Sequence, residues 1–157
     1  MFTKGIFSDN APKAIGPYSP AVQLGDFVYV SGQIPVDPKT NQLAGDDIVT
    51  QTKQSLDNMC AVLAEMGLET RHVVKTTVFM TDLEMFNQMN EVYATYFKEP
   101  YPARSCVQVV KLPKGSLVEI ECLAIDTLRY EMQYAQSSCN GCCGSDDDCG
   151  CDGTCCG

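Results

Sequence analysis

Apolar and β-prone residues cluster in two short runs, Ala21 to Leu24 and Phe27 to Ser31, with Gly25-Asp26 between them. Two short β-prone runs joined by a pair that tolerates positive φ predict a hairpin. Gly32 to Gly45 contains Pro35, Pro38 and Asn41 and reads as an ordered loop. From Asp46 the spacing changes to three and four. Ile48, Val49, Thr52, Leu56, Met59, Cys60, Leu63 and Met66 predict an amphipathic helix with Asp46 or Asp47 as cap and Gly67 as stop. Val73 to Thr81 is β-branched and predicts a strand. Asp82 then caps a second helix whose stripe is Phe86, Met89, Val92, Tyr93 and Tyr96, and Pro100 and Pro102 end it. Strands over Arg104 to Val110 and Leu117 to Asp126 flank a turn containing Pro113 and Gly115.

The order ββαβαββ predicts an α+β, two-layer sandwich, with both helices on one face of a mixed sheet. Along the last strand Val118, Ile120, Cys122 and Ala124 point one way, and Leu117, Glu119, Glu121, Leu123 and Ile125 the other. Both faces are therefore partly apolar while only one has helices to cover it. A second copy of the chain is the expected cover, so a homo-oligomer is predicted. Residues 128 to 136 read as a short extension.

Composition narrows the class. A length of 157 residues with 45% hydrophobic content suits one packed domain. A net charge of -9 with only 11 scattered Lys and Arg argues against a nucleic-acid surface. Met1 to Asn10 lacks the apolar core of a secretory signal, and no run approaches the roughly 20 apolar residues that span a membrane, so a soluble, cytoplasmic protein is expected. Of the ten cysteines only Cys60, Cys106 and Cys122 precede residue 137. The other seven crowd the last 21 residues with Gly, Asp and Ser, which marks the tail as a separate compositional object.

Candidate chemistry concentrates between Pro102 and Glu121. Arg104 is a permanent cation whose planar fork matches a carboxylate, although an arginine on a strand also serves as a structural partner for a carboxylate such as Glu121. Glu119 is a candidate base. Glu121 lies on the same strand face two positions on, and repulsion between the two raises the pKa of at least one. Cys106 invites a nucleophile reading, yet the only histidine, His72, is far away in sequence, so a packed thiol fits better. His72 itself reads as a surface or strand-end residue, and Tyr18 as a cleft or packing residue.

Six segments match one pattern in order: Gly16-Pro17-Tyr18-Ser19-Pro20, Ser31-Gly32-Gln33-Ile34-Pro35, Gln54-Ser55-Leu56-Asp57-Asn58, Lys75-Thr76-Thr77-Val78-Phe79, Pro102-Ala103-Arg104-Ser105-Cys106 and Val118-Glu119-Ile120-Glu121. From about residue 5 to residue 127 the chain resembles the RidA (YjgF/YER057c/UK114) family. The resemblance implies a chorismate-mutase-like homotrimer over residues 1–130, with sites in the clefts between subunits. It implies hydrolysis of 2-imino and enamine acids, such as 2-iminobutanoate and 2-iminopropanoate released by pyridoxal-phosphate enzymes, to 2-keto acids and ammonia. In that pattern Arg104 holds the substrate carboxylate, the Cys106 backbone amide helps, and Glu119 positions or deprotonates water. Tyr18 and Ser31 line the cleft, and Gly32 permits close approach. An imine carbon is already electrophilic, so orienting a water matters more than a metal or a covalent nucleophile, and no cofactor is expected for catalysis. A non-catalytic trimer that binds small carboxylates or shields client proteins is the alternative.

The resemblance says nothing of residues 131–157. Cys139, Cys142, Cys143, Cys149, Cys151, Cys155 and Cys156 are spaced closely enough to surround Zn or Cu(I), yet they fit no zinc-finger template. A disordered reducing tail, mixed disulfides and a tag read by a partner remain open.

Overall fold

The computed structural model describes residues 2–140. Six strands form one mixed sheet: β1 (Thr3–Ile6), β2 (Ala21–Leu24), β3 (Phe27–Gln33), β4 (Val73–Met80), β5 (Ala103–Gln108) and β6 (Val118–Ile125). Their spatial order is β1-β2-β3-β6-β4-β5, antiparallel throughout except for the parallel β4–β5 pair. The predicted α+β class holds, with α1 (Ile48–Ala64) and α2 (Phe86–Tyr96) layered on one face. The division into compact units falls between Asp126 and Thr127, and the second unit contains α3 (Leu128–Asn140).

Local chemistry explains most element ends. Leu24 pairs with Phe27 across Gly25, whose φ of 61° only glycine adopts without strain. Of the two candidate caps Asp47 is the one used: its Oδ1 accepts from the Thr50 N–H at 2.8 Å. The helix leaves regular geometry at Glu65, and Gly67 turns the chain with φ 71°. Asp82 caps a 3-10 turn, Leu83–Met85, that runs into α2.

The core lies between α1, α2 and the inner sheet face. Val118, Ile120, Cys122 and Ala124 alternate with half-buried neighbours along β6, as their parity predicts. They share the buried core with Leu56, Met59, Val62 and Leu63 of α1, which packs on β6, and with Met89 and Tyr93 of α2, which packs on α1. Each such large side chain contributes about 1.5–3 kcal/mol on burial. Buried polar groups on α1 act as ties. Asn58 Nδ2 donates to the Ile34 and Val36 carbonyls at 3.1 and 2.9 Å, fixing the loop after β3. Gln51 donates to the Gly45 carbonyl at 3.0 Å and accepts from the Leu117 N–H at 2.8 Å, fixing the entry to β6.

Several expectations are corrected. β1 was not foreseen, because four residues including Lys4 and Gly5 carry little strand propensity and are ordered by pairing with β2. The extension after β6 is a helix reaching Asn140 rather than a stub ending at residue 136. Val49 is 45% exposed, because the cap at Asp47 turns Ile48 inward and its neighbour outward; Val62 takes a core place instead. His72 does stand at a strand end, directly before β4, but it is buried and not on the surface, since the 3-10 turn Thr70–His72 folds it back until its Nδ1 accepts from the Glu69 N–H at 2.9 Å. Among the described residues no helix is long and apolar enough to cross a membrane.

Candidate active site

Glu119 projects from the open, helix-free face of β6, opposite Phe79 of β4. Its neighbour across the sheet is an irregular stretch of β3. Pairing with β6 shifts register between Val30 and Gln33, so Ser31 and Gly32 leave the regular ladder. Ser31 is held there by its Oγ donating to the Ser19 carbonyl and its N–H to the Pro20 carbonyl, at 2.8 and 2.9 Å. Gly32 then packs under the glutamate: a Cβ on Gly32 would overlap the Glu119 carboxylate, so no larger residue leaves that carboxylate in place.

Tyr18, Ser31, Gly32 and Glu119 border one cavity of about 580 Å³ with Ile15, Ile34, Pro113 and Lys114. Burial pushes the Glu119 carboxyl above the usual carboxylate range, and the charge of Glu121 adds to that push. A half-buried carboxylate of raised basicity beside a hydroxyl and a phenol is equipped to take a proton from a bound water. Glu121 borders a different cavity of about 330 Å³, with Lys75, Thr77 and Tyr29. The two acids are thus separated by position, a distinction their shared strand parity hides.

Arg104 stands elsewhere. Its sequence neighbourhood suggests adjacency to the Glu119 strand, but β4 lies between β5 and β6. Arg104 is in register with Thr76, whose side chain is buried on the helix-covered face. Its guanidinium lies over the Tyr93 ring at 4.5 Å and the Phe86 ring at 5.6 Å, both on α2. Arg104 and Glu119 therefore occupy opposite faces of one sheet, so a single chain does not bring them together. An Arg104–Glu121 pair is excluded on the same ground, since Glu121 is in register with Thr77 on the open face.

Cys106 follows Arg104 on the inner face, its Sγ donating to Met80 Sδ at 3.7 Å. Burial pushes its thiol up more than Arg104 pulls it down, which disfavours a thiolate nucleophile. Cys139 falls in the last turn of α3, and the other six tail cysteines lie outside the described residues.

Ile15, Ile34, Pro113 and Lys114 were not singled out from sequence. Lys114 had a local signal: it sits between Pro113 and Gly115 and adopts φ 57°, unusual for a side chain with a Cβ. Its Nζ donates to Asn41 O and Oδ1 at 3.2 and 3.3 Å, closing the cavity rim onto the loop after β3.

Fold and cavity together define a small two-layer α+β protein with a carboxylate-bearing site on its uncovered sheet face. The family model described as Endoribonuclease L-PSP matches residues 8–126. The chain belongs to that family, the RidA/YjgF family. It is 48% identical over 126 residues, covering 78% of this chain and 98% of the relative, to the 2-iminobutanoate/2-iminopropanoate deaminase of Salmonella typhimurium. A Rid-family protein from Yersinia pestis matches with TM-score 0.76 and 48% identity, covering 78% of this chain and 98% of that one. The E. coli protein TdcF, solved with bound serine, matches with TM-score 0.74 and 46% identity over the same shares.

Proposed function

We propose that this chain hydrolyses 2-imino and enamine acids, 2-iminobutanoate and 2-iminopropanoate among them, to 2-keto acids and ammonia. The observation that carries the reading is the Glu119 carboxylate, half-buried over Gly32 in a cavity shared with Tyr18 and Ser31. The deaminase name of the Salmonella typhimurium relative supports it. Glu119 takes a proton from water as the oxygen attacks the imine carbon. The proton passes to the nitrogen of the resulting carbinolamine, whose collapse to the ketone expels ammonia. No redox change is involved.

Arg104 anchors the substrate carboxylate, with the Cys106 amide beside it. Because Arg104 and Glu119 face opposite ways in one chain, a complete site requires the Arg104 edge of one copy against the Glu119 cavity of the next. A homotrimer meets that need with three equivalent sites. Its assembly also covers the open sheet face, where Leu24, Phe27, Tyr29 and Val107 are 43–52% exposed. Imines of this kind arise in the cytoplasm from pyridoxal-phosphate eliminations. The protein coupled to threonine dehydratase is expected to accelerate keto-acid appearance, and Arg104→Ala to abolish the acceleration. No acceleration with freshly generated imine overturns the reading.

A second reading, a carboxylate-binding trimer without turnover, is favoured by the serine bound in the TdcF structure. It keeps Arg104 and leaves Glu119 dispensable. Glu119→Gln separates the two, because binding survives in both readings while turnover is lost only in the first. For the tail, seven cysteines within residues 139–157 support binding of Zn or Cu(I) as thiolates. Metal analysis of the reduced full chain against a chain ending at Ala135 tests this, and equal, negligible metal in both rules it out.

A further inference from the structure

An arginine that must receive a ligand carboxylate meets a conflict. A protein carboxylate would fix its plane but occupy its N–H donors, whereas an unsupported side chain on an edge strand samples many rotamers. The surroundings of Arg104 resolve this with aromatic rings. Among the described residues its guanidinium has no carboxylate within ion-pair distance. It rests instead on Tyr93 at 4.5 Å, with Phe86 at 5.6 Å. A ring face holds the cation through its π electrons and leaves the in-plane N–H groups free.

The shelf is itself fixed. Phe86 and Tyr93 are seven residues apart, two turns of α2, so one helix face presents both rings. Tyr93 is buried, packs against Phe97 with ring centroids 4.5 Å apart, and bonds through its hydroxyl to Thr76 Oγ1 at 2.7 Å. Thr76 is also the β4 residue in register with Arg104. The strand pair that places the arginine thus also places the ring beneath it.

We propose that Tyr93, assisted by Phe86, is the positioning residue that sets the guanidinium plane of Arg104 for the substrate carboxylate. This rests on the carboxylate-anchoring reading of Arg104 and deepens it. The test is calorimetric titration of the assembled protein with 2-oxobutanoate, alongside imine turnover. Tyr93→Leu is expected to weaken binding about tenfold and to raise KM by a like factor with kcat little changed. Tyr93→Phe, which restores the ring face without the Thr76 bond, recovers most of the affinity. Phe86→Leu, at a half-buried position, carries the same test if Tyr93→Leu does not fold, with about threefold weakening. Wild-type affinity in folded Tyr93→Leu and Phe86→Leu overturns the proposal, as does an equal loss in Tyr93→Phe and Tyr93→Leu. A wild-type protein that binds 2-oxobutanoate without imine turnover refutes the deaminase reading but leaves the shelf testable by affinity. One that binds no carboxylate overturns the shelf.

Discussion

The two charged groups assigned to chemistry are built in opposite ways. Glu119 is held by close approach: β3 leaves its ladder, a glycine removes the side chain that would collide, and burial raises the carboxyl's proton affinity. Arg104 is held by breadth, a flat cation on a flat ring, with its donors left for a ligand. The base is tuned by desolvation and the anchor by support without pairing. The sheet also keeps them apart. Because Arg104 shares the face of Thr76 and Glu119 that of Phe79, one chain carries the two groups on two faces, and the proposed function needs a second copy to join them.

The largest expected effect removes the base. Glu119→Gln should lower kcat by about 10²–10⁴-fold while 2-oxobutanoate still binds, since the amide keeps the shape but cannot accept the proton. Parallel loss of binding and turnover would instead make Glu119 part of the anchor and erase the contrast between the half-sites. Gly32→Ala is next. The added methyl displaces the end of a flexible side chain, so kcat should fall about 10²-fold with little change in melting temperature. A large drop in melting temperature with normal specific activity would mean that Gly32 serves the fold.

The smallest effect is a shift in pH dependence. Glu119 works ionised and its pKa lies above the ordinary 4.5, so the acid limb of kcat/KM should lie above that value. Glu121→Gln removes one cause of the elevation and should move the limb to lower pH with the plateau retained. For stability the sign is opposite to that of a paired carboxylate. The raised group favours the folded state fully below about 4.5 and that contribution is lost as pH rises through the folded pKa, so Glu119→Gln should remove that part of the loss. An acid limb unmoved in Glu121→Gln would place the titrating group elsewhere.

How much of this was legible in the sequence depends on the range of each interaction. Side-chain parity along Val118–Ile125 was readable because a strand's period is a local property, and the caps at Asp47 and Asp82 because they act within a few residues. Strand order was not. Arg104 and Glu119 are close in sequence, yet the turn between them carries the chain across β4, a long-range choice set by sheet packing. Parity also left Glu119 and Glu121 equivalent. What separates them is the bulge at Ser31–Gly32, some ninety residues earlier, and Gly32 could be assigned close approach without naming what approaches. Lys114 stayed hidden because its contact with Asn41 joins two loops that no periodicity relates.

The central claim is that a working site takes Arg104 from one copy and Glu119 from another. Co-assembly of Arg104→Ala chains with Glu119→Gln chains tests it most directly. Each variant alone is expected to be inactive. In trimers mixed at equal ratio about a quarter of the interfaces pair an intact Arg104 with an intact Glu119, so roughly that fraction of wild-type imine turnover should return. Mixed assemblies as inactive as either parent would contradict the account, because they would place both residues of each site within one chain.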